Sequence, residues 1–260
     1  MLRIEDLTEN NLDDVFNVCS YDRLDDPLQI KGIALKTRWL IDTLEKHGPC
    51  TKIAYLNDRP VAQILYFPEE LAPSIADPRE GVVALHCAYN PFSEARGRGA
   101  GKALMGKFLA ECDSGLKILS GKTCSFVVAR PYTTGVGLPL GEFYSKHGFL
   151  QGEDEVYFEV RKAYRPRATT EYDPLPEDRG RAFMFYEPVC EWGYPFAVQV
   201  KDYLRNIDPD LPIKLINSWE EPDKFIKRGS KQLIVNATEI KSFWTEKESF
   251  RREVEEALRR

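Results

Sequence analysis

The spacing of apolar and polar positions predicts alternating strands and helices over the first 160 residues. Apolar residues three or four positions apart indicate one helix from about 10 to 19 and another from about 28 to 46. Continuous apolar stretches of four to eight residues indicate buried strands. The predicted strands are 2–7, 51–56, 61–67, 81–89, 123–129 and 156–160, and the later helices are 102–112 and 142–149.

The pattern changes after residue 162. Residues 163–180 are polar and rich in proline and charge, which is typical of a connector between domains. A second αβ unit follows, in the order βαβαββα. Its predicted strands are 181–186, 213–216, 232–235 and 239–241, and its helices are 194–206, 222–227 and 245–260. We therefore expect a domain at 1–162, a linker at 163–180 and a smaller domain at 181–260.

A glycine-rich segment between a predicted strand and a predicted helix carries the strongest chemical signal. It comprises Arg96, Gly97, Arg98, Gly99, Ala100, Gly101 and Lys102. The first N–H groups of a helix have no intrahelical partner, and the helix dipole places partial positive charge there. Glycines let the main chain approach an anion closely. The segment is therefore a candidate phosphate site.

Two common phosphate motifs do not fit this segment. Gly97 and Gly101 are one residue too close for a Walker loop, and Ala103 follows the lysine where Ser or Thr is required. Glycines at every second position do not match the dinucleotide fingerprint. The pattern that fits is Arg-x-x-Gly-x-Gly. It resembles the Gln/Arg-x-x-Gly-x-Gly/Ala motif of the GNAT superfamily of acyl-CoA-dependent N-acyltransferases, in which this loop binds the pyrophosphate of coenzyme A.

A second match lies about forty residues further on. Residues 142–149 resemble the short helix of the same family that reads Phe-Tyr-x-x-x-Gly-Phe. The family usually has an Asn one to two turns before the tyrosine, whereas this chain has a Gly/Pro-rich stretch at 134–139. The resemblance covers residues 1–162, and the predicted element order matches the mixed α/β fold, with a mixed sheet, that the family adopts.

The resemblance implies specific roles for residues of this chain. The loop Arg96–Lys102 would bind the pyrophosphate of acetyl-CoA, and the main chain of Cys87, Ala88 and Tyr89 would pair with the pantetheine arm. Tyr144 would be the general acid toward the departing thiolate. The implied reaction is acetyl transfer to a primary amine by direct attack on the thioester, and the acceptor is a small-molecule or peptide amine.

Several nearby residues have two interpretations on sequence alone. His86 is either a base or a structural histidine on the central strand. Glu69 and Glu70 either supply a base, as this position does in several members of the family, or form a solvated loop pair. Cys87 lies either near the thioester or in the core as a small apolar residue.

The second unit resembles a thioredoxin or glutaredoxin fold. A GNAT domain followed by such a unit is similar to the YoaP-like acetyltransferases. Cys190, near the start of its first helix, has no second cysteine within the motif, and Gly229-Ser230-Lys231 stands where a proline is expected. Two-thiol disulfide exchange needs a resolving cysteine, so the unit is either monothiol or a binding module.

Composition narrows the possible partners, the cellular location and the kinds of site that the chain can form. The net charge of −5 argues against nucleic acid or an anionic membrane as partner. No apolar run reaches the length of a bilayer span, and the acidic start of the chain lacks a signal-peptide pattern. The six cysteines and three histidines show no metal-binding spacing. We expect a cytoplasmic enzyme without a metal, compatible with a homodimer. The alternative is a non-catalytic acyl-CoA-binding or regulatory protein whose second unit binds a partner or serves redox chemistry.

Overall fold

The computed structural model describes residues 1–132, 138–168, 170–243 and 246–260. The chain forms two compact units, and each draws on more than one stretch of sequence. The first comprises Met1–Leu24, Thr37–Ala72 and Asp77–Arg167. The second comprises Asp25–Lys36, Pro73–Ala76 and Ala168–Arg260. The domain boundaries at 162 and 181 stay a prediction.

A seven-stranded mixed sheet forms the centre of the first unit, in the order β1-β2-β3-β4-β5-β7-β6. The strands are β1 (Leu2–Asp6), β2 (Thr51–Leu56), β3 (Arg59–Pro68), β4 (Val83–Tyr89), β5 (Phe126–Ala129), β6 (Leu150–Gln151) and β7 (Val156–Glu159). The helices are α1 (Leu12–Cys19), α2 (Pro27–His47), α3 (Ala100–Ser114) and α4 (Leu140–Lys146). The residues of α2 up to Lys36 belong to the second unit.

The predicted order of strands and helices is confirmed, and with it the mixed α/β class. The hairpin between β2 and β3 turns at Asn57 and Asp58, whose φ angles of 51° and 64° suit the tight turns that match strand twist. Strand β6 was not predicted, because it has only two residues, both exposed. Among the described residues, no helix is long and apolar enough to cross a membrane.

The register of β4 creates an opening at one end of the sheet. Strand β4 runs antiparallel to β3 as far as the pair Gln63 and Tyr89. Its parallel ladder with β5 joins Val83 to Val127 and Ala84 to Val128. Because β5 ends at Ala129, the carboxyl end of β4 continues past it. Because β5 does not reach the last residues of β4, there is space beside them for side chains or a ligand.

The second unit has a four-stranded sheet in the order β11-β10-β8-β9. The strands are β8 (Ala182–Tyr186), β9 (Ile213–Asn217), β10 (Leu233–Val235) and β11 (Thr238–Glu239), and the helices are α5 (Gly193–Ile207), α6 (Pro222–Ile226) and α7 (Lys247–Leu258). Strands β8 and β9 are parallel, whereas β10 is antiparallel to β8. The predicted βαβαββα order is therefore confirmed. One apolar core joins the sheet to α5 and α7 through residues such as Val200, Leu204 and Val254.

Candidate functional site

The glycine-rich loop adopts the backbone conformation that its sequence requires. Gly97 and Gly99 have φ angles of 73° and 84°, in the left-handed region that favours glycine. Gly99 is the residue that caps the amino end of α3. No atom lies within 4 Å of a Cβ built on either glycine, so their main chain faces open space. The first N–H groups of α3 are thus presented as an anion site.

A cleft of about 220 Å³ lies beside this loop. Its walls come from residues 62–64 of β3, from residues 88–90 at the end of β4, and from Gly101 and Leu104 of α3. Residues at the start of α4, including Phe143, complete it. The cleft therefore occupies the place where β4 continues past β5.

The structure brings together some of the residues predicted from sequence and separates others. Those that line the cleft are Ala88, Tyr89, Arg96, Gly97 and Gly101. Those exposed beside it, on the loop and the first turn of α3, are Arg98, Gly99 and Lys102. Those buried and absent from its described lining are Cys87, Ala100 and Tyr144. Part of the unusual stretch at 134–139 lies outside the described residues.

Arg96 ties the loop to the end of β4. Its Nη2 donates to the Pro91 carbonyl at 2.7 Å, and its Nε lies 3.5 Å from the Asn90 carbonyl. These bonds fix the position of the loop relative to the cleft floor. Arg96 thus has a structural function in addition to the charge it brings to the site.

Tyr144 is fully buried in α4. Its ring packs against Phe143 and Phe149, and its hydroxyl has no hydrogen-bond partner among the described residues. Burial, and then the neighbouring Cys87 thiol, raise the pKa of Tyr144 well above its usual value. The hydroxyl is therefore protonated at neutral pH, and it has a hydrogen bond left to donate.

Two further polar atoms on the cleft wall are unsatisfied. The side-chain oxygens of Gln63 and Asn90 are buried, and neither has a partner among the described residues. Sequence reasoning missed both residues. One signal was present: Gln63 is the single polar residue in the apolar stretch 61–65 of a predicted buried strand.

Glu69 does not have the surroundings of a base. It is fully buried, and Arg79 donates to it through its main-chain N–H at 3.0 Å and its Nε at 3.1 Å. Arg167 also pairs with it. Burial alone would raise the pKa of Glu69, but these arginine contacts lower it below its usual value. The interpretation of Glu69 as a solvated residue is wrong, because two arginines distant in sequence enclose it.

Glu70 and His86 are the other two candidate bases of the first unit, and their surroundings differ from those of Glu69. Glu70 is exposed and accepts a hydrogen bond from the Gly81 N–H at 3.2 Å. His86 is half-buried on β4, with its ring centroid 6.0 Å from that of Phe67. Neither residue lines the cleft in the described part of the chain.

In the second unit, Cys190 stands just before α5 and is half-buried. The next residue, Glu191, is fully buried and forms an ion pair with Lys36 of α2 at 2.8 Å. Gly32 of α2 lies so close to the Glu191 carbonyl that a Cβ there would come within 1.9 Å of the oxygen. The charge of Glu191 beside Cys190 is therefore balanced within the unit.

No metal centre is visible in the described ranges, where no group of three or more His, Cys, Asp or Glu side chains is arranged to hold an ion.

Comparison with known proteins gives structural neighbours only. No protein-family model matches the chain, and no curated protein matches it. An N-acetyltransferase from Staphylococcus aureus Mu50 is 13% identical, and the match covers 62% of this chain and 98% of that one at a TM-score of 0.43. A putative acetyltransferase of the GNAT family from Desulfovibrio desulfuricans is 15% identical, with coverages of 62% and 98% and a TM-score of 0.42.

A third neighbour is a GNAT family acetyltransferase from Brucella melitensis, solved in complex with acetyl-CoA. It is 13% identical, the match covers 61% of this chain and 88% of that one, and the TM-score is 0.38. Likenesses at this level assign the chain to no family.

Proposed function

We propose that this protein is an N-acyltransferase that moves an acetyl group from acetyl-CoA to an amine. The observation that carries the proposal is the joining of an open glycine loop at the start of α3 to a cleft beside the projecting end of β4. The loop offers main-chain N–H donors and the helix dipole to a pyrophosphate. The cleft offers room for the extended pantetheine arm, whose thioester would reach the inner end.

Residues of the chain fit this substrate at several points. Gly97 and Gly99 leave their main chain open to an anion, and Arg98 and Lys102 add exposed positive charge beside it. The main chain of residues 87–89 would pair with the pantetheine arm as an added strand pairs with a sheet edge. Apolar side chains of α3 and α4, among them Leu104 and Phe143, would shield the arm from water.

The proposed reaction is direct attack of the amine on the thioester. The amine nitrogen forms a bond to the thioester carbonyl carbon, the carbon–sulfur bond breaks, and the sulfur leaves as a thiolate. Main-chain N–H groups near the end of β4 would polarise the carbonyl. The Tyr144 hydroxyl would give its proton to the thiolate, and the proton released by the amine would restore it through solvent.

The second unit carries no part of this proposal. We keep the thioredoxin-like interpretation of residues 181–260 and the YoaP-like assignment as proposals, supported by the βαβαββα order. We also propose that the enzyme acts in the cytoplasm on a small-molecule or peptide amine.

Calorimetry with acetyl-CoA followed by thiol-release assays on a panel of amines tests the function. We expect saturable binding and amine-dependent release of coenzyme A. Binding without turnover of any amine would favour the non-catalytic alternative. Failure of the folded protein to bind acetyl-CoA would overturn the assignment of the cleft.

A further inference from the structure

We infer that the side-chain carbonyls of Gln63 and Asn90 hold the two N–H groups of an uncharged primary amine, which makes α-amino groups of amino acids or peptides the acceptor class. This inference rests on the proposed acyl transfer and specifies its second substrate.

The orientation of the Gln63 amide is fixed by its surroundings. Its Nε2 donates to the Val15 carbonyl of α1 at 3.3 Å and contacts the Cys19 sulfur. A main-chain carbonyl can only accept, so the nitrogen must face α1 and the oxygen must be the other end of the amide. Gln63 is fully buried and lines the cleft. Its oxygen is thus an acceptor with a set direction.

The second acceptor directly follows the end of β4. Gln63 pairs with Tyr89 across the β3–β4 ladder, and Asn90 is the next residue. Both residues line the same cleft. A buried carbonyl left without a donor costs about 1–3 kcal/mol, so two at one place indicate that a ligand supplies the donors. A neutral primary amine has two N–H donors, and its lone pair stays available for attack.

The charges around the cleft favour binding of a neutral amine over binding of an ammonium ion. Among the described lining residues the only charged side chain is Arg96. Burial, and after it nearby groups that include Asp22, raise the pKa of Tyr89 to about 12, so Tyr89 is neutral as well; Asp22 is not among the lining residues. Glu69 is held by arginines. The described lining of the cleft therefore offers no carboxylate to attract an ammonium ion or to take its proton.

This environment separates two kinds of biological amine. An α-amino group has a pKa near 7.7–8.0, whereas a lysine ε-amino group has a pKa near 10.4. At pH 7.5 roughly a third of the former and roughly one part in a thousand of the latter is neutral. A site that binds only the neutral form will prefer the α-amine.

The first experiment compares two substrates with wild-type enzyme at pH 7.5. One is an amidated tetrapeptide with a free amino terminus and no lysine, and the other is Nα-acetyl-lysine amide. We expect kcat/KM for the peptide to exceed that for the lysine derivative by at least about tenfold. Equal rates, or a preference for the lysine derivative, would overturn the substrate class.

The second experiment uses Gln63→Met and Asn90→Leu, which remove the acceptors and keep side-chain volume. We expect the KM for the amine to rise at least about tenfold in each, with kcat changing less and the Kd for acetyl-CoA within about threefold of wild type. Gln29→Met is the matched control, because Gln29 is also a buried glutamine that donates to a main-chain carbonyl, that of Glu191. It should leave the KM unchanged.

Each remaining outcome decides the question. An unchanged amine KM in Asn90→Leu overturns the inference even where Gln63→Met fails to fold. A raised Kd for acetyl-CoA with an unchanged amine KM would assign the carbonyls to pantetheine amides instead, and would also overturn it. Loss of all acetyl-CoA binding in the wild type would instead contradict the proposed function itself.

Discussion

Gly101 lies directly against the ring of Phe143. A Cβ built on Gly101 would come within 3.0 Å of the Phe143 Cε2 atom. The first turn of α3 and α4 can therefore lie this close together only because residue 101 has no side chain. Both residues line the cleft, so this contact forms part of its wall.

This contact makes Gly101→Val a sharp test of the coenzyme A site. The added branches would displace Phe143 and fill the cleft, and we expect the Kd for acetyl-CoA to rise by at least about a hundredfold. Gly106→Val is the control, since it lies in the same helix with nothing within 4 Å of an added Cβ. Calorimetry with acetyl-CoA on the two folded variants gives the measurement. Equal Kd values for Gly101→Val and Gly106→Val would contradict the assignment of the coenzyme A site. Arg98→Ala, which leaves the main chain intact, should weaken binding by less than about tenfold.

Tyr144→Phe should separate catalysis from stability. The change removes only the hydroxyl, which has no hydrogen-bond partner among the described residues, so the Tm should stay the same or rise. Loss of a general acid slows the chemical step by about 10²–10⁴-fold, with acetyl-CoA affinity unchanged. Single-turnover kinetics give the measurement, and Tyr157→Phe is the control on β7. A chemical step within about threefold of wild type would show that another group protonates the thiolate.

Arg79 holds buried carboxylates from two parts of the chain. It contacts Glu69 and, at 2.6 Å, Glu155. Because Arg79→Met leaves both carboxylates without this partner in the interior, we expect a loss of about 3–5 kcal/mol in the free energy of unfolding. Urea denaturation measures it. The exposed pair of Arg59 and Glu94 provides the comparison, and Arg59→Met should cost less than about 1 kcal/mol. If the two variants lost similar amounts of unfolding free energy, burial would not be the reason why the Arg79 ion pairs stabilise the fold.

The same cluster predicts acid sensitivity. The pKa of Glu69 is lower in the folded protein than its ordinary value of 4.5. A carboxylate of this kind contributes its full stabilisation above pH 4.5. That stabilisation is lost as the pH falls through the pKa of the group in the folded protein. We expect the free energy of unfolding to decline below about pH 4.5 in the wild type and less steeply in Glu69→Gln. Parallel pH profiles for the two proteins would show that the carboxylate is not the source.

Cys190 is predicted to be dispensable for acyl transfer. It is half-buried, the other cysteines are buried, and its motif lacks a second cysteine. Cys190→Ser should keep full turnover of acetyl-CoA, and the protein should not reduce disulfides. Mild alkylation with mass mapping, beside a disulfide-reduction assay, tests this. Selective fast labelling of Cys190 at neutral pH together with catalysed disulfide reduction would show a redox function.

Local patterns predicted the elements and the glycine loop because these depend on neighbours in sequence. Helical spacing, the strand before the loop and the left-handed glycines are all properties of short segments. The surroundings of Glu69 could not be predicted from local sequence, because its partners Arg79 and Arg167 are ten and 98 positions away. Gln63 shows an intermediate case: a polar residue in an apolar strand is visible in the sequence, but its fixed amide orientation depends on α1.

The ion pair of Lys36 and Glu191 has a consequence for folding. Its two residues are 155 positions apart, so the amino half of α2 finds its partner only long after it is synthesised. Contacts of such separation carry a large loop-closure entropy and form slowly. During that interval Lys36 lies without this ion pair on a face that is buried in the folded protein. We therefore expect α2 to become protected from hydrogen exchange in two stages, the carboxyl half first.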